Sequence, residues 1–139
     1  MIILDTNVIS EPMRPQGDPA VQAWLDRQEA ETLYVTAVSL SELLVGIEPV
    51  PAGKRRANLT VSLARLLERL FGSRVLAFDQ PAAIAYASVV ARTRAVGYTI
   101  SAADAQIAAI ALVTGFTVAT RDTDPFAAAR VPVVNPWTD

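Results

Sequence analysis

Four carboxylates stand at the margins of apolar segments: Asp5 closes MIIL, Glu42 interrupts VSLSELLVGI, Asp104 opens an apolar helical pattern, and Asp122 follows FTVAT. An ionised carboxylate at the edge of a core is costly unless donors or a cation compensate it. Four such groups close together repel, and without a cation at least one would keep a proton through a raised pKa. A shared divalent ion removes that conflict. The chain has no histidine and no cysteine, which excludes Ser-His-Asp and Cys-His catalysis and zinc centres built on those ligands. An all-oxygen ligand set selects hard cations, so Mg²⁺ or Mn²⁺ is the expected cofactor. Such an ion acidifies water and neutralises charge developing on a phosphoryl oxygen, as phosphodiester hydrolysis requires.

Each carboxylate also has a local explanation. Asp5 and Asp122 fit turns or caps after strands, and Asp104 has capping-box spacing from Ser101. Glu42 sits among Leu40, Leu43, Leu44 and Ile47, which predicts a helix with little face toward water and leaves a buried salt bridge as its alternative. Asn7, Thr6 and Thr120 are neutral groups placed to orient a carboxylate or a water, as are Ser39 and Ser41; ordinary turn and cap bonding is the competing reading. Lys54, Arg55 and Arg56 form the one dense basic run, with Arg65 and Arg69 at helical spacing and Arg14 in the first loop. They read as a solvated face or as a phosphate-tracking patch for RNA. Arg121, beside Asp122, is the arginine expected at the active edge. Trp24 and Trp137 read as packing anchors rather than base-stacking platforms.

Short apolar runs place these groups. Residues 2–4, 33–35, 75–78, 116–119 and 131–134 read as buried strands. Helical patterns cover 20–27, 37–47, 53–71, 81–96 and 102–114, so strand and helix alternate and an α/β fold with a mostly parallel sheet of about five strands is predicted. Functional residues in such a sheet gather outside the carboxyl ends of its strands. At 139 residues, 52% hydrophobic and without a repeat or linker, the chain has the size and composition of a single domain spanning 1–139. A net charge of −2 argues against whole-molecule polyanion attraction, leaving that task to a local patch. No export signal or membrane-spanning run is visible, so a soluble, cytoplasmic protein is expected.

At LDTNVISEP, SELLVGI, PAGKRR, SAADAQIAAIA, ATRDTDPF and VPVVNPW, the chain resembles PIN-domain ribonucleases, specifically VapC-type toxins of toxin–antitoxin pairs and their FitB-like branch. The resemblance covers nearly the whole chain. It implies a three-layer α/β/α fold and a Mg²⁺- or Mn²⁺-dependent endoribonuclease whose acidic quartet is Asp5, Glu42, Asp104 and Asp122. Asp5 and Asp104 are the expected principal metal ligands, with Glu42 and Asp122 supporting. It further implies a homodimer and a cognate antitoxin that carries operator-DNA binding. One departure stands out: many relatives read TRN before an Asp-Phe pair, whereas TRDTDPF offers both Asp122 and Asp124.

Other Asp-bearing parallel-sheet proteins fit less well. A phosphoacceptor receiver needs a late lysine, and the only lysine is Lys54; a haloacid-dehalogenase-like phosphatase needs DxDxT, and Asp5 is followed by Thr6 and Asn7. Neither GxGxxG nor GxxxxGK[ST] occurs. The remaining alternative is a binding module that mainly holds a DNA-binding partner, with Val21, Leu44 and Val45 as candidate exposed apolar residues on the early helices.

Overall fold

A computed structural model describes residues 1–139. Five parallel strands, β1 (Ile2–Leu4), β2 (Leu33–Thr36), β3 (Val75–Leu76), β4 (Thr117–Ala119) and β5 (Val133–Val134), form one sheet in the order β3-β2-β1-β4-β5. Seven α-helices accompany them: α1 (Thr6–Ser10), α2 (Pro19–Asp26), α3 (Ala37–Ile47), α4 (Lys54–Leu70), α5 (Gln80–Ala95), α6 (Ala102–Thr114) and α7 (Asp124–Ala128). This is the α/β architecture with a five-stranded parallel sheet expected from the alternation of runs. The strands are shorter than the apolar runs at 75–78 and 131–134. Helices α1 and α7, five residues each, were invisible to periodicity because little more than one turn carries no measurable repeat.

Strand residues alternate between two apolar layers, as the pleat requires. Ile3 and Val118 face Val89, Ile107, Ala108 and Phe126 on the α5–α6 side. Leu4, Leu33, Val35 and Ala119 face Val8, Val21, Trp24, Leu63 and Phe71 on the other. Alanines at 105, 108, 109 and 111 are buried on α6. That helix ends at Gly115, whose φ of 73° and N–H bond to the Ala111 carbonyl make a left-handed C-cap. Trp24 is buried and Trp137 packs partly against the second layer, the anchor role expected of both.

Two readings of the early helices need correction. Val21 is fully buried on α2, where it completes the second layer, so it offers nothing to a partner. Helix α3 has the opposite character: it buries only Ser39 and Leu43, and Leu44 and Val45 are 50% and 67% exposed. Its apolar composition therefore does not report burial. Glu42 lies on the same open face and is exposed, so the buried-salt-bridge alternative fails.

Candidate active site

The strand order places β1 in the middle. The chain steps outward through β2 and β3, then returns to the other side of β1 for β4 and β5. The β1–β4 boundary is thus the topological switch point, where the connections diverge and open a crevice beyond the strand ends. Leu4 pairs with Ala119, which sets Asp5 beside Thr120.

Asp5 is held by the fold rather than by a counter-charge. Its backbone N–H donates to the Ala119 carbonyl at 2.9 Å. Its side chain caps α1, with Oδ1 accepting from the Thr6 N–H and Oδ2 accepting from the Thr120 hydroxyl, both at 2.8 Å. Asp5 is thus a helix cap whose second oxygen is also engaged. Burial pushes the Asp5 carboxyl above the ordinary aspartate value of 3.8; the Thr120 and Thr6 bonds oppose the shift, and Asp104 and Glu42 add to it. Asp104, half-buried in the first turn of α6, is raised by burial and by Asp122, against a Ser101 hydrogen bond.

Thr120 is fully buried and its hydroxyl is the hub of the crevice. It donates to Asp5 and accepts from Asn7 Nδ2 at 3.2 Å and from the Asp122 N–H at 3.1 Å, using all the capacity a hydroxyl has. Asn7 Oδ1 in turn accepts from the Arg121 N–H at 3.2 Å. Thr6 donates its hydroxyl to Glu42 Oε1 at 3.2 Å. Thr6 and Thr120 bond carboxylates directly and Asn7 reaches them through Thr120, whereas Ser39 bonds Thr36 at the start of α3 and Ser41 bonds the Val38 carbonyl. Asp122 and Asp124 differ in place. The Asp122 backbone is tied to Thr120, while Asp124 begins α7, where an acidic first-turn residue suits the helix dipole.

Tyr98 escaped the sequence reading. Desolvation, with the fields of Asp122, Asp104 and Asp124, holds its hydroxyl above the ordinary tyrosine value of 10.0; no motif signals it. Glu11 escaped too. It is buried, accepts from the Asp18 N–H at 2.8 Å and pairs with Arg14 at 3.4 Å, thereby organising the loop before α2. A groove of about 780 Å³ runs from Thr6 and Glu42 between α3 and α4, with Arg14, Arg55 and Asn58 on its walls. Arg56 points instead to Glu48, at 3.0 Å.

The donor set is entirely oxygen, and no three acidic side chains converge within ligand distance of one point. Mg²⁺ keeps several waters and is commonly held by one or two carboxylates. Asp5 and Asp104, the two raised carboxyls, fit that mode.

A model of the PIN domain matches residues 2–132. The chain belongs to the PIN-domain family. Toxin FitB of Neisseria gonorrhoeae is 46% identical over 139 residues, covering all of both chains. The VapC ribonuclease Y4jK of Sinorhizobium fredii is 47% identical over 137 residues, 99% of this chain and 98% of that one. Among solved structures, FitAB bound to an IR36 DNA fragment superposes with a TM-score of 0.94 at 44% identity, covering 99% of this PIN domain and 96% of that chain. Within its family this PIN domain thus stands with the VapC-type toxins, on the FitB-like branch. No helix of it is long and apolar enough to cross a membrane.

Proposed function

We propose that this protein is the toxin of a toxin–antitoxin pair and a Mg²⁺- or Mn²⁺-dependent endoribonuclease whose acidic quartet is Asp5, Glu42, Asp104 and Asp122. One observation carries the reading: a buried Asp5 carboxylate at the switch point, fixed by Thr120 and raised by burial and by Asp104 and Glu42. A carboxylate so placed is disfavoured as an anion until a cation joins it. The relatives named a toxin and a ribonuclease support the same function.

Asp5 and Asp104 are the principal ligands, with Glu42 and Asp122 acting through water or at a second ion. The bound ion would acidify water and neutralise the phosphoryl oxygens. Thr120 fixes the Asp5 rotamer and Thr6 steadies Glu42, so both carboxylates meet the ion already oriented. Asp122 has the better claim to the fourth position, because its backbone is bonded into the Thr120 hub. Arg121 stands at the crevice and Arg55 in the adjoining groove; with Lys54, and Arg56 once released from Glu48, they supply the cations that track the RNA backbone. Hydrolysis by in-line attack leaves a 5′-phosphate and a 3′-hydroxyl.

The exposed Leu44 and Val45 favour a protein partner on α3, in keeping with a homodimer and a cognate antitoxin. The DNA-bound FitAB relative supports operator contact through that antitoxin. The same surface would serve a protein that only supports operon repression. Sequencing RNA ends after brief induction of the wild type and of Asp5→Ala separates the two. New 5′-phosphate ends lost in Asp5→Ala support the nuclease; unchanged toxicity, or ends carrying 2′,3′-cyclic phosphate, would overturn it.

A further inference from the structure

Arg121 joins the crevice to the C-terminal turn. Its N–H is bonded to Asn7 at 3.2 Å, and its guanidinium carbon lies 5.2 Å from the centroid of the Trp137 ring. The ring is itself anchored. The Trp137 backbone N–H donates to Asn135 Oδ1 at 3.0 Å, the Asn135 backbone N–H donates to Asp139 Oδ2 at 2.7 Å, and the indole packs on the second apolar layer. Arg121 is exposed and takes part in neither of the two ion pairs, Arg14–Glu11 and Arg56–Glu48, although Asp122 is its neighbour in the chain.

The chemistry of that arrangement is specific. A guanidinium lying on an aromatic face loses rotamer freedom, yet its in-plane N–H donors stay directed outward and unspent. That fork matches two phosphate oxygens. An RNA strand approaching four carboxylates meets a repulsive field, and a cation kept off those carboxylates offsets it at the rim.

We propose that Trp137 is a positioning residue that presents the Arg121 guanidinium to one backbone phosphate of the RNA strand at the crevice. The inference rests on the endoribonuclease reading above. It removes Trp137 from the class of plain packing anchors.

The test measures cleavage and binding of a short single-stranded RNA by the full chain over a range of salt. Arg121→Ala is expected to raise KM about tenfold, the worth of a charge-assisted bond, with a smaller change in kcat. It should also lower the slope of log affinity against log salt by about 0.7. Trp137→Leu, which keeps apolar bulk but no aromatic face, should reproduce both effects, Trp137→Phe should keep most of the wild-type behaviour, and Trp137→Leu should add nothing in the Arg121→Ala background. Multiplying effects in the double variant, an unchanged slope in Trp137→Leu, or equal losses in Phe and Leu overturn the proposal. Should Trp137→Leu not fold, Trp137→Met takes its place in the comparison. A wild type that cleaves no RNA defeats the endoribonuclease reading; an active wild type with an unmoved slope defeats this inference alone.

Discussion

The Thr120 hydroxyl donates to Asp5 Oδ2 at 2.8 Å across the boundary between β1 and β4. The residues are 115 apart in sequence, and parallel pairing of Leu4 with Ala119 makes them neighbours. Thr120→Val keeps the shape and removes the hydroxyl, leaving Asn7 Nδ2 and the Asp122 N–H without their acceptor. The variant should lose about 1–3 kcal/mol in denaturant unfolding and about 10- to 100-fold in cleavage. Thr120→Ser should recover most of both, and a silent Thr120→Val would mean that Asp5 needs no orienting.

Metal and pH act in opposite directions on stability. Asp5 and Asp104 have folded values raised above 3.8, so the folded protein holds their protons more tightly than the unfolded chain does. In the ion-free protein their ionisation therefore costs stability at neutral pH, and the cost shrinks as pH falls through the raised values and is gone below 3.8. Mg²⁺ or Mn²⁺ should raise the thermal midpoint most at neutral pH, with the gain fading toward acid as protons compete for the carboxylates. Calorimetry over that range checks it; a gain independent of pH, or one kept by Asp5→Asn, would contradict ligation by these groups.

The fourth carboxylate is open to direct comparison. Asp122→Asn is expected to lower cleavage by about 10- to 100-fold, the scale of an outer-sphere loss. Asp124→Asn should leave cleavage near the wild-type rate and instead cost about 0.3–1 kcal/mol of stability at the start of α7. The reverse pattern would move the role to Asp124.

Glu42→Gln separates chemistry from folding. Because Glu42 is exposed on α3, the unfolding free energy should change by no more than about 0.5 kcal/mol. Metal-dependent cleavage should nevertheless fall, since the amide keeps the Thr6 contact but loses the charge. Activity and metal titrations on the folded variant decide the matter.

Among the basic residues, Arg55 lines the groove that reaches Thr6 and Glu42, whereas Arg56 is paired with Glu48. Arg55→Ala should weaken RNA binding and lower the salt slope by about 0.7, as expected for one lost phosphate contact on a single strand. Arg56→Ala should change the slope less. Filter binding across salt concentrations distinguishes them.

Much of the architecture is legible in the chain. Continuous apolar runs alternating with helical patterns specified the parallel α/β sheet, because strands buried on both faces need no polar alternation. The absence of histidine and cysteine limited the chemistry to oxygen ligands, and the carboxylates at 5, 104 and 122 stood out by their place at strand ends and a helix start. The rest depends on contacts between distant parts of the chain. Which strands neighbour each other depends on long-range pairing, so the contact of Asp5 with Thr120 and the placing of the Arg121 guanidinium over the Trp137 ring have no local signature. Burial depends on what covers a surface: the less apolar helix α2 has Val21 enclosed, while the more apolar α3 leaves Leu44, Val45 and Glu42 open to water, because a neighbour packs over the first and none in this chain packs over the others.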